Sequence, residues 1–171
     1  MQILRPLLPA LAVVTFTGCS DSTVSPAAPE APSFGLAAPR HAAVGAGHVQ
    51  SPAGLREFTF HALELASGGA TGSYKVVLPS GLFFEADVTC LAVEGGTGWV
   101  GGVIRSSNAA VVVIGSTSMF YAIDNGEGGE GVDVVSLAAF NLGAGQDLAF
   151  CEERPLLLPP LTVTDGNVQV R

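Results

Sequence analysis

The sequence predicts an all-β fold, and three observations carry that prediction. Glycine is abundant, at 22 of 171 residues, and with little helical periodicity around it this composition marks a turn-rich chain. Short β-branched and aromatic runs alternate with Gly, Ser, Asn and Asp punctuation. The run Leu82–Val93 alternates clearly. Phe84, Ala86, Val88 and Cys90 share one face and Glu85, Asp87 and Thr89 the other, as in an antiparallel sheet with one buried and one wet face.

The N-terminal segment places Arg5 before an apolar run, Leu7 to Phe16, interrupted by Pro9 and followed by Thr17-Gly18-Cys19. The run is too short for a membrane helix, which needs about 20 residues. The layout resembles a bacterial lipoprotein signal, in which a small residue precedes a cysteine that is lipidated and becomes the new N-terminus. Phe16 departs from the usual leucine, and the start of the signal carries one positive charge. The resemblance implies that residues 1–18 are removed, that Cys19 carries lipid and that the protein is exported and membrane-anchored. Ser20 rather than Asp after Cys19 implies the outer membrane, periplasmic side or cell surface. The alternative is an ordinary secretory signal cut near Gly18, with Cys19 incidental.

Residues 19–54 carry Pro26, Pro29, Pro32, Pro39 and Pro52 among Ala, Ser and Gly. Such a composition reads as a disordered, semi-extended tether between anchor and domain. His41 and His48 fall within it and are expected to be solvated.

Residues 55–171 read as one antiparallel β domain. The strands expected are Glu57–Leu65, Ser73–Leu78, Leu82–Val93, Gly98–Arg105, Ala110–Ile114, Ser118–Ile123, Val132–Phe140 and Leu161–Arg171. Gly68-Gly69, Pro79-Ser80-Gly81, Glu94-Gly95-Gly96 and Asp165-Gly166-Asn167 supply the turns. Connections this short cannot hold crossover helices, so the strands form a meander closed as a small barrel, with a β-sandwich as the alternative.

The cysteines are Cys19, Cys90 and Cys151. An odd number in an exported chain needs an explanation. If Cys19 carries lipid, Cys90 and Cys151 are left to form one disulfide in an oxidising compartment. Both lie in apolar, strand-like contexts, and two buried free thiols are the alternative.

The net charge of −8, without a basic cluster, excludes a nucleic-acid binder. It also disfavours adsorption to anionic lipid, so membrane contact is expected through the anchor alone. The acidic, glycine-rich segment 124–133 is the best candidate site. Asp124, Asn125, Glu127, Glu130 and Asp133 could offer hard oxygen ligands to Ca²⁺. Gly128 to Ser136 also matches one copy of the nine-residue Ca²⁺ repeat of β-roll proteins, whose sites need stacked copies. The alternative is a solvated hairpin loop.

Two G-x-G-x-x-G matches, at Gly96 and Gly126, lack the strand–helix context of a dinucleotide site. No nucleophile–base pair is visible, since His61 reads as an ordinary strand histidine. Glu85 and Asp87 share a strand face, which solubility alone produces. Trp99, flanked by glycine, is expected in the core rather than on an exposed platform.

Asp87 to Gly95, Phe120 to Gly128, Phe150-Cys151 and Gly166 to Val170 together resemble an uncharacterised group of small secreted bacterial β domains that recur in predicted lipoproteins and cell-surface proteins. The resemblance spans Phe58 to Arg171. It implies a compact exported β domain and assigns no catalytic or ligand-binding residue. The function expected is a non-enzymatic binding or interaction module. Its partner would be an envelope protein, or a small apolar ligand inside a barrel lined by Phe84, Val88, Val112 and Phe120. A structural envelope domain stiffened by Ca²⁺ is the second reading, and a hydrolase the third.

Overall fold

The computed structural model describes residues 39–126 and 131–171. The proposed signal, Cys19 and the tether up to residue 38 lie outside the described residues. The elements run β1 (Ala42–Ser51), β2 (Gly54–Glu64), β3 (Ala70–Val77), β4 (Phe83–Glu94), β5 (Thr97–Ser107), β6 (Thr117–Ile123), β7 (Val134–Ser136), β8 (Ala139–Leu142), α1 (Gln146–Glu153) and β9 (Pro160–Val170). Each strand pairs antiparallel with its sequence neighbour from β1 to β7. β9 then lies between β7 and β1, which closes an eight-stranded barrel. β8 pairs with the first half of β6, beside β7.

Aromatic side chains fill the barrel. Phe60 and Tyr74 meet Phe120 with ring centroids 5.2 and 5.1 Å apart, edge-on in both cases. Tyr74 also meets Phe84 edge-on. Such pairs contribute about 0.5–1.5 kcal/mol each beyond their area burial. Small residues on neighbouring strands make room for the rings. A Cβ on Gly45 would sit 2.6 Å from Phe60 Cε1, so β1 can lie against Phe60 only because glycine stands there.

That contact explains the first correction. Residues 42–54 read as tether, yet β1 is a full member of the barrel, paired with β2 on one side and β9 on the other. Its Gly/Ala-rich composition, which imitates a linker, serves close packing against aromatic neighbours. The domain therefore begins near Arg40, not Leu55. His41 and His48 stand on this sheet beside Glu64 and Asp165, at 3.7 and 3.6 Å.

Four further differences are local. Ala110–Ile114 is a tight loop, not a strand, because Ala109 and Val112 turn inward and the backbone bonds across the turn. Val132–Phe140 splits into β7 and β8. Ala149-Phe150-Cys151 is helical, within α1. A bulge between Val88 and Cys90 breaks the alternation of β4, and an extra residue sends everything after it to the opposite face. Leu91 therefore joins the interior, and Cys90 meets α1 outside the barrel.

Candidate functional site

α1 lies against the outer wall of β4–β6, and the polar and reactive side chains there are tightly organised. Gly101 lets the helix approach: a Cβ on it would lie 2.7 Å from Cys90 Sγ and 2.9 Å from Asp147 Cβ. Cys90 and Cys151 are bonded, with sulfurs 2.02 Å apart. Thr89, displaced outward at the bulge, donates its hydroxyl to the buried carboxylate of Asp147 in the first turn of α1. Trp99, Tyr121 and Phe150 form a second small core between helix and barrel. Trp99 Nε1 donates to the Pro155 carbonyl at 3.0 Å, and the Tyr121 hydroxyl to the Leu158 carbonyl at 3.0 Å. Trp99 is thus core, as expected, but in a core outside the barrel. The Thr89–Asp147 contact escaped sequence reasoning. Its one signal is an acid two residues after Gly145, where a helix start favours negative charge.

The acidic segment is put to structural use. Between β6 and the second half of β9 the barrel ladder is interrupted, and two aspartates bridge the gap. Asp133 Oδ2 accepts from the buried Val168 N–H at 2.8 Å and its Oδ1 from Asn125 N–H at 3.1 Å. Asp124 Oδ2 accepts from Val170 N–H at 3.0 Å and its Oδ1 from Gly126 N–H. Asn125 Nδ2 donates to the Val132 carbonyl at 2.7 Å. The side chains of Asp124, Asn125 and Asp133, three of the five candidate Ca²⁺ ligands, are thus engaged by the backbone. Glu127 and Glu130 lie outside the described residues.

Asp133→Ala is expected to lower unfolding stability by about 3 kcal/mol. It strands the buried Val168 amide and removes charge-assisted bonds. The midpoint of a urea transition measures it. A loss below about 1 kcal/mol would show that the seam holds without the carboxylate.

Glu85 and Asp87 share the outer face of β4, but cations occupy them. Lys75 lies 3.4 Å from Glu85, and Arg105 reaches Glu85 at 3.5 Å and Asp87 at 2.9 Å. This is an exposed charge ladder across β3–β5. His61 is exposed on β2.

Inside the barrel, an apolar cavity of about 20 Å³ remains between Phe58, Phe60, Tyr74 and Phe120, room for about one water molecule. Phe84, Val88, Val112 and Phe120, considered as a ligand lining, are themselves packed core residues. The Tyr74 and Ser118 hydroxyls are buried without a hydrogen-bond partner among the described residues. Burial holds the Tyr74 phenol well above its usual pKa, and the nearby charge of Asp147 adds to this. The interaction with Ser118, short of hydrogen-bond geometry, offsets it only in part.

The sign of the pH dependence follows. Above about pH 10 the unfolded chain releases a phenolic proton that the folded chain keeps, so stability falls as pH rises further. Tyr74→Phe should therefore flatten the alkaline limb of a stability–pH curve. At pH 7 it should be neutral or stabilising by up to about 1 kcal/mol, since it removes an unpartnered hydroxyl. Tyr121, also raised by burial, carries part of the remaining slope. A variant markedly less stable at pH 7 would mean that the hydroxyl has a partner.

Comparison of the chain with family models, curated proteins and solved structures finds no match.

Proposed function

We propose that the protein is an exported, lipid-anchored interaction module that acts through its outer surface and performs no catalysis. The observation that carries this reading is the Cys90–Cys151 bond. It accounts for two of three cysteines in a way that suits an oxidising compartment. Cys19 is left as the odd thiol, placed where a lipoprotein-type signal would have it modified. The filled barrel favours partners taken outside rather than a ligand within. The engagement of Glu85 and Asp87 by Arg105 and Lys75 supports the non-catalytic reading.

Intact-mass analysis of the protein from the membrane fraction of an expressing bacterium tests it. The expected mass lacks residues 1–18, carries a diacylglyceryl-type addition on Cys19 and is two hydrogens short for the disulfide. An unmodified Cys19, or a chain retaining residues 1–18, would overturn the anchor. Reduced Cys90 and Cys151 would overturn the oxidising compartment.

A further inference from the structure

The two ends of the barrel differ in chemistry. One end carries Asp124, Asn125 and Asp133 with the short loops 65–69 and 95–96. The other is built from residues 52–53, 78–82, 108–116 and 137–145, which contain no charged residue. These segments touch. Asn108 and Phe83 exchange two hydrogen bonds, at 2.6 and 3.2 Å, and Gly54 packs beside Pro79. The charged part of β2 begins only at Arg56 and Glu57.

At this uncharged end the loop Ala109–Ser116 presents Val111, Val113 and Ile114, which are 69%, 57% and 61% exposed. Leu82 and Leu55, 37% and 50% exposed, stand on neighbouring segments. Water-facing loops seldom place three large β-branched side chains outward in four residues. The loop is also held from within. Asn141, in the left-handed region at φ 60, donates to the Val111 carbonyl at 2.6 Å and accepts from Val113 N–H at 2.7 Å. Val112 N–H bonds to the Ala109 carbonyl, and Ser116 bonds twice to the Val113 carbonyl, through N–H and hydroxyl.

We infer that this end of the barrel inserts shallowly into a lipid bilayer, with Val111, Val113 and Ile114 entering the acyl region. Hydrocarbon disfavours unsatisfied backbone polar groups, and Asn141, Ser116 and the tight turn satisfy the carbonyls of Val111 and Val113 and the N–H groups of Val112 and Val113. Charge would be costly there, and the loops of this end carry none; Arg56, bonded to Ser51 Oγ at 3.1 Å beside the β1–β2 turn, marks the depth at which charge begins. A protein partner fits less well. A standard interface engages about 20–30 residues a side, whereas the strongly exposed apolar surface here is a few side chains on one loop. The acids at the far end turn away from a bilayer held this way. Membrane contact by the barrel itself goes beyond the anchor-only contact expected from net charge, and it does not require Cys19 to carry lipid.

The test places single reporter indoles in the full chain, whose one native Trp, Trp99, is buried. Ile114→Trp reports the uncharged end and Ser67→Trp, in an exposed turn, the opposite end. Each is mixed with phosphatidylcholine vesicles whose chains are brominated or not. The expected result is strong quenching at position 114 only, reduced severalfold when Val111→Ser and Val113→Ser are added. Quenching at neither position overturns the proposal. Quenching at both, or only at 67, means contact not made by this end, and also overturns it. Sedimentation without vesicles covers the remaining occupant. A dimer dissolved by Val111→Ser/Val113→Ser, with no quenching, would assign the surface to a second copy. The state of Cys19 is read separately by mass, so failure of the anchor and failure of insertion are distinguishable.

Discussion

A chain beginning at Leu55 is expected not to fold, although Leu55 is where the sequence places the domain boundary. The truncation removes β1, and β1 closes the barrel. It is paired with β2 from Ala42↔Leu63 to Ser51↔Gly54 and with β9 from Ala43↔Val170 to Val49↔Val163. Its loss opens both ladders, exposes two long strand edges and uncovers the ring of Phe60. Domains of this size are stable by about 5–15 kcal/mol, and the loss of one barrel strand exceeds that margin. Residues 55–171 should show no cooperative urea transition and little near-ultraviolet dichroism. A chain beginning at Pro39 should show both. If the shorter chain unfolds cooperatively at the same denaturant concentration, β1 is an accessory strand and the tether reading regains residues 42–54.

The reason that boundary was misread applies more widely in this chain. Alternation along Leu82–Val93, the paired turn glycines and the short connections made the antiparallel barrel legible, because each reflects a local rule with period two. Small residues were not legible in the same way. Gly45 and Ala43 look like linker in sequence, and only the Phe60 ring opposite explains them. The bulge at Thr89 is likewise invisible without its partner strand, so Cys90 was placed on the inner face with Phe84. Apolar runs misled where tertiary context overrode them. Val111 to Ile114 has strand composition but caps a barrel end, and Asn141, thirty residues away from Val111, holds it there. The acidic segment stands out in the sequence as a candidate Ca²⁺ site. Its aspartates proved to complete a broken ladder, a use that depends on where β9 lies.

Removing the disulfide tests how α1 is held, and Cys90→Ala/Cys151→Ala is expected to lower stability by about 4 kcal/mol. The bond spans 61 residues, and the chain-entropy model assigns roughly that much to a loop of this length. Beyond the small Trp99–Tyr121–Phe150 core and the Arg154–Glu94 ion pair at its C-terminal cap, little else fixes the helix. Only Asp147, Phe150 and Cys151 are buried within it, eight residues are too few for independent helical stability, and the Thr89–Asp147 bond is a single polar contact. Two consequences separate the contributions. If the bond acts only on the unfolded chain, the urea midpoint falls while native Trp99 emission stays unchanged. If it clamps the helix, α1 frays before global unfolding, and Trp99, which packs against Phe150, shifts to the red without denaturant. Amide exchange in α1 should then become fast while β4–β6 remain protected. The weak packing of α1 favours the second pattern. A double variant within about 1 kcal/mol of the parent, with unshifted emission, would mean that Trp99, Tyr121 and Phe150 hold the helix by themselves.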